Sequence, residues 1–310
     1  CPHILAEPMR TNLVTYSEDF SQYTTSGTAP TLTTGQLSPD GTNNATKIEG
    51  VIGSTALWLT GVTSTTDTRT IYARTVSGTG TAKLMSYNTN TNNLFNLTEE
   101  WQRFELTGSN ATGGSNFYID FRDNSQTLSE FILWGGQSEV GSYATSYIPT
   151  SGGTVTRNQD IFTRDGIGSL INSEEGVLFV EMAALIDGGN FELISLSDGS
   201  NVNRCSILFN GGNLTAAYRV SNSNVFLHIE AADLLNFNKV AISYKQSQFK
   251  MFVNGFNVFE QLSGNVLPSN TFNKLSFDSG DGANPFYGKV KQLQVYDTAL
   301  SPTQLAALTS

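Results

Sequence analysis

The chain has 310 residues, about twice the usual domain size, so two domains are the starting expectation. Charged residues make up 14% of it, below the roughly 25% of an average soluble protein, and the formal net charge is -10 with a pI near 4.7. That balance argues against a nucleic-acid backbone or an anionic lipid surface as partner, and no apolar run is long enough to cross a membrane as a helix.

Thr, Ser, Asn and Gly fill the space left by charge; they suit strand faces and turns and are poor helix formers. The first residues carry no signal-peptide pattern. Cys1 is compatible with lipid attachment, but the apolar residues running into Ile4 and Leu5 read as mid-strand and favour a truncated start. Phe117, Ile119 and Phe121 alternate with Tyr118 and Asp120, the period of a half-buried strand. A Pro/Gly/Ser stretch, Tyr147 to Gly153, marks a domain joint between about Thr150 and Thr163. Cys205 lies in a strand-like run as a small buried hydrophobe, and two cysteines allow no disulfide framework or metal spacing. Ala231 to Leu235 is a weak helix candidate. Val240, Ile242 and Tyr244 alternate, as do Phe249, Met251 and Val253. Asn254-Gly255 then makes a hairpin turn into Phe256. Ser301, Pro302 and Gln304 form a capping box that opens a short C-terminal helix. The reading is all-β: two antiparallel β-sandwich (jelly-roll) domains in tandem, residues 1–157 and 158–310.

Several motifs carry a resemblance. In the first half they are Glu7-Pro8-Met9-Arg10-Thr11-Asn12-Leu13, Tyr16-Ser17-Glu18-Asp19-Phe20, Pro39-Asp40-Gly41-Thr42 and Trp101-Gln102-Arg103. The closing set is Trp134-Gly135-Gly136-Gln137-Ser138-Glu139, Ala144 to Thr150, and Val155-Thr156-Arg157. This half resembles a carbohydrate-binding-module-like jelly roll common in bacteriophage tail and spike proteins. It departs from that family at Thr24-Thr25, where the family usually has a Trp. In the second half, Gly176 to Glu181, Asn238 to Tyr244, Phe252 to Gly255, Phe286 to Val290 and Val295 to Ser301 resemble a laminin-G-like, concanavalin-A-like sandwich. Together the resemblances imply a virion spike or tail-fibre adhesion protein on the particle surface, attaching to host glycans as a homo-oligomer, usually a trimer. The alternatives are a secreted carbohydrate-binding protein or accessory module of a glycan-degrading enzyme, and a purely structural virion decoration protein.

No catalytic set stands out. His3 and His228 are the only histidines, with His228 read as a surface strand residue alternating out from Phe226, and no nucleophile-elbow motif is present. Glycan binding needs an aromatic face with amides and carboxylates beside it. Trp101 and Trp134 sit on family strands and read as core. Trp58 and Tyr87 are candidate platforms in the first half. In the second half the candidates are the loops Asp198, Asn201, Asn203 and Asp278, Asp281, Asn284, leading into Phe286. Asp278 and Asp281 also offer oxygen ligands on a flexible loop that would suit Ca²⁺, although ordinary Asp-Gly turns have the same composition.

Overall fold

In the computed structural model, residues 2–59, 66–86, 94–109, 116–122, 124–188 and 190–310 are described. The chain divides into two compact units, Met9–Asn158 and Cys1–Pro8 with Gln159–Ser310. Both are built from antiparallel sheets, and the fold is nearly all β.

The first unit carries β2 (Arg10–Asn12), β3 (Thr24–Ser26), β4 (Thr31–Gln36), β5 (Ala45–Glu49), β6 (Ala56–Leu59), β7 (Thr66–Arg74), β8 (Gly80–Ser86), β9 (Leu94–Leu97), β10 (Gln102–Ser109), β11 (Phe117–Asp120), β12 (Glu130–Val140) and β13 (Val155–Arg157). Two five-stranded sheets, ordered β10-β7-β12-β5-β4 and β3-β6-β11-β8-β9, face each other across a core. That core includes Phe20, Ile48, Leu57, Ile71, Leu84, Phe117, Ile119, Phe131 and Leu133. A strand lies where the alternation at residues 117–121 placed one, but it is not half-buried: all four residues of β11 are buried, so both of its faces are covered. Trp134 is buried as expected, in a smaller cluster against which Tyr72, Trp101 and Tyr147 pack; Trp101 itself is only partly buried.

The second unit holds β1 (Ile4–Ala6), β14 (Thr163–Asp165), β15 (Glu175–Ala184), β16 (Asn190–Ser197), β17 (Arg204–Asn210), β18 (Asn213–Val220), β19 (Ser223–Ala231), β20 (Asn238–Lys245), β21 (Gln248–Val253), β22 (Phe256–Gln261), β23 (Lys274–Ser276), β24 (Gly288–Tyr296) and the helix α1 (Pro302–Thr309). Its two six-stranded sheets run β1-β24-β15-β20-β21-β22 and β14-β23-β16-β17-β18-β19. The assignment of residues 1–157 to the first domain is therefore corrected at its start. Ile4, Leu5 and Ala6 pair with Val290, Lys289 and Gly288, and Ala6 is buried in the second core. Glu7 N donates to Asp160 Oδ2 and Asp160 N to Glu7 O, which fixes this strand beside the chain segment that re-enters the unit.

The strand β15 reads as a nearly unbroken apolar run because both of its faces are covered. Leu178, Val180 and Met182 face the sandwich core. Val177 and Phe179 face outward with Ala241 and Phe252, where Leu305 of α1 covers them. The helix starts where the sequence places it. Ser301 Oγ accepts from Gln304 N, Gln304 Oε1 accepts from Ser301 N, and Pro302 occupies the first turn. Asn254 and Gly255 both have positive φ, as a two-residue hairpin turn requires. Two local expectations are corrected. Ala231 to Leu235 is the end of β19 followed by a turn, not a helix; Asp233 Oδ1 accepts from Leu235 N and closes it as an Asx turn. His228 shares a face with Phe226, since residues two apart on a strand point the same way. It stacks on Phe259 with ring centroids 4.4 Å apart.

Tyr218 sits at the centre of the second core, against Tyr244, Phe249 and Phe272. Its hydroxyl donates to Ser173 O at 2.8 Å and accepts from Leu267 N at 3.0 Å. Removing that oxygen strands two buried backbone groups. Tyr218→Phe, which barely changes volume, is expected to cost about 1–3 kcal/mol in denaturant unfolding; an unchanged midpoint would show that the bonds contribute nothing net.

Candidate functional site

The two polar loops picked out in the second half meet at one end of the sheet that contains β16 and β17. Asp198 to Asn203 joins these strands. Gly280 of the other loop lies so close that a Cβ there would stand 2.5 Å from Ser197 Oγ and 2.6 Å from Ser200 O. With φ at +99°, only glycine suits the position.

Most of the predicted side chains in these loops are spent on shaping them. Asp198 Oδ1 accepts from Ser200 N and Oγ, and its Oδ2 accepts from Asn203 Nδ2. Asn203 Oδ1 in turn accepts from Ser221 N. Asp278 is buried, and its Oδ1 accepts from Ser276 Oγ, Gly280 N and Gly282 N. Asp281 Oδ1 accepts from Ser279 Oγ and Ala283 N, and Asn284 donates to Ser279 Oγ. These are Asx turns, in which a carboxylate replaces a backbone acceptor. Among the described residues no group of three or more His, Cys, Asp or Glu side chains is arranged to hold a metal ion. Phe286 is corrected from platform to core: it is 1% exposed and packs on Phe209 and Phe277.

What the loops frame is a pair of arginines that the sequence reading passed over. Arg204 and Arg219 are direct cross-strand partners on β17 and β18, on the face turned away from the core. Nη1 of each donates to Asn201 O, at 2.9 and 3.3 Å, and Arg219 Nη2 donates to Asn222 O and Oδ1. The Nε atoms of both are buried without a hydrogen-bond partner, as are Ser206 Oγ and Thr215 Oγ1 on the same face. Buried polar atoms are nearly always paired, so four orphans close together on one face stand out. Burial first, then the neighbouring Arg219 charge, hold the Arg204 guanidinium below its ordinary pKa, while Asp281 pulls the other way. A signal for the pair was present. Gly211-Gly212 is a two-residue hairpin turn, and Arg204 and Arg219 lie equally far from it on either side, so the turn fixes them opposite each other.

Trp58 belongs to the first unit. It is half-buried on β6, with its ring centroid 5.6 Å from that of Tyr118 on β11. Arg122 lies over the Tyr118 ring at 4.7 Å and binds Asp120 through Nε and Nη2. Tyr87 lies outside the described residues.

Residues 175–306 match the family model described as the concanavalin A-like lectin/glucanases superfamily. No curated protein matches the chain. Among solved structures, the sialidase module CBM40 of Ruminococcus gnavus bound to alpha2,3 sialyllactose is similar at 18% identity and a TM-score of 0.39, covering 48% of this chain and 98% of that one. Domain 4 of AbnA, a GH43 extracellular arabinanase from Geobacillus stearothermophilus, in complex with arabinotriose, is similar at 16% identity and a TM-score of 0.40, covering 55% and 81%.

One carboxyl of this sandwich is out of the ordinary. Glu192 pairs with Phe209, on the inward face of β16, and its Oε2 is buried without a partner. Burial pushes its pKa up from 4.5 to about 7. A carboxyl with a raised folded pKa contributes most stability while it is neutral in both states. The unit is thus expected to be most stable below pH 4.5 with respect to this group, and to lose stability as pH rises to about 7. The loss should be on the order of 1 kcal/mol once solvent screening is allowed for. Thermal melts of Glu192→Gln should show that this decline has gone; a decline of unchanged size would assign it elsewhere.

Proposed function

We propose that this chain is a non-catalytic adhesion protein that binds glycans through the arginine-lined end of its second sandwich. The observation that supports this most directly is the group of orphaned buried polar atoms, Arg204 Nε, Arg219 Nε, Ser206 Oγ and Thr215 Oγ1, on one outward face. Hydroxyls and guanidinium donors side by side suit a hydroxyl-rich ligand with an acidic group, since guanidinium groups recognise carboxylates by charge-assisted hydrogen bonds. The match of residues 175–306 to the lectin/glucanases superfamily is consistent with a saccharide ligand.

The setting we propose is the surface of a virus particle, in a spike or tail fibre that attaches to the host. That part rests on the motifs of the first half, from Glu7 to Arg157. Oligomerisation, as a trimer, would let several weak sugar sites act together and gain avidity.

The test is an array of acidic and neutral oligosaccharides probed with the full chain. The double variant Arg204→Gln with Arg219→Gln should lose about 10- to 100-fold on acidic sugars, as expected for charge-assisted hydrogen bonds worth about 1.5–3 kcal/mol. Wild-type binding should weaken as salt rises. Unchanged acidic-sugar binding by a folded double variant would sink the arginine site. Association of the chain with other particle proteins but with no glycan would favour a decoration role instead.

A further inference from the structure

At the far end of β17 from the arginines, the register runs Asn210, Asn213 and Ala231 across the sheet. There the second sandwich opens a cleft of about 540 Å³, between residues 230–238 and the β21–β22 hairpin. That volume lies within the range of small-molecule sites. The cleft is lined by Phe256, Phe237, Val253 and Val258 on the apolar side, and by Glu230, Asp233 and several Asn on the polar side, with no Lys or Arg.

Its polar wall is cross-linked by hydrogen bonds that occupy many of its amide donors. Asn238 Nδ2 donates to Asp233 O and Asn236 O. Asn254 Nδ2 donates to Asn238 Oδ1, and Asn254 Oδ1 accepts from Lys239 N. The Asp233 carboxylate accepts from Leu235 N and Asn236 Nδ2. Beside one N–H each of Asn236 and Asn254, carboxylate and amide acceptor capacity remains. Glu230 engages His228 through one oxygen at 3.1 Å, and among the described residues no hydrogen bond reaches its other oxygen or Asn236 Oδ1. Of the two rings, Phe237 is already engaged by Lys291 Nζ, 3.8 Å from its centroid. Phe256 is 73% exposed and open.

Free acceptors beside an open aromatic ring call for a ligand that brings both donors and an apolar face. We infer that this cleft is a second saccharide site, taking a neutral sugar residue with its C–H face on Phe256 and its hydroxyls donating to Glu230 and Asn236. The Glu230 and Asp233 charges reject acidic sugars, so the two ends of the sandwich select opposite chemistries. The span between them is the length of β17, roughly 20 Å at about 3.3 Å per residue. One glycan chain carrying both kinds of unit can therefore bridge them and gain avidity. This inference rests on the glycan-binding reading but uses none of its residues.

The experiment is the same array, with the full chain and the variants Phe256→Ala, Phe256→Trp and Arg204→Gln with Arg219→Gln. Phe256→Ala should lose at least tenfold on neutral oligosaccharides with an unchanged melting temperature. Phe256→Trp should keep binding, and the arginine variant should leave neutral-sugar binding intact. Neutral-sugar binding that survives Phe256→Ala overturns the inference. So does a change seen only in oligomeric state by light scattering, which would make Phe256 a contact between copies of the chain. Acidic-sugar binding with no neutral-sugar binding sinks the cleft alone; a wild-type chain that binds no glycan sinks both readings.

Discussion

The first sandwich depends on how one irregular segment is held. Residues 141–150 form no strand, yet Thr145, Ile148 and Thr150 among them are buried. Buried backbone groups outside a ladder need partners from side chains. Glu139 supplies two acceptors: Oε1 takes Thr145 N and Gln137 Nε2, and Oε2 takes Thr145 Oγ1. Gln137 Oε1 accepts from Ile148 N. Asn12 Nδ2 donates to Ile148 O and Gly136 O, while its Oδ1 accepts from Val14 N and Ser138 N. Ser17 Oγ and Thr150 exchange further bonds, and Tyr147 closes the set on Ser17 and Glu18.

Asn12, Ser17, Gln137, Glu139, Thr145, Ile148 and Thr150 of that network all lie in the motifs picked out in the first half. Their spacing is constrained because each reaches a specific partner. A half-satisfied buried network is worse than an apolar one, so such residues cannot be exchanged singly. The same fact limits what the motif says. Polar side chains that are spent on the chain's own backbone identify a fold and leave ligand chemistry to other positions.

This explains what the sequence disclosed and what it hid. Period-two alternation, the Asn254-Gly255 turn and the Ser301–Gln304 box are local features, and each reads out directly. The pairing of β1 with β24 is long-range, and nothing in Ile4-Leu5-Ala6 names its partner. At the candidate site, composition drew attention to Asp198, Asp278 and Asp281, whose carboxylates turned out to be taken by turns. Phe286 looked available because it follows a Gly-rich loop, but the loop folds back and its ring enters the core. Arg204 and Arg219 were hidden because neither is remarkable alone; only the hairpin register brings them together.

The arginine pair also has to work against the charge of the whole chain. A formal net charge of -10 repels an acidic glycan at long range. At physiological ionic strength the Debye length is about 8 Å, so this diffuse repulsion is largely screened before contact. Within contact distance the nearest groups dominate, and here they are two guanidinium groups, with Asp281 the carboxylate that acts on Arg204. On the proposed reading, the chain would hold an acidic glycan once contact is made but capture it slowly from a distance. Tethering several copies, as proposed, would compensate, since after the first contact the remaining sites would act at high effective concentration.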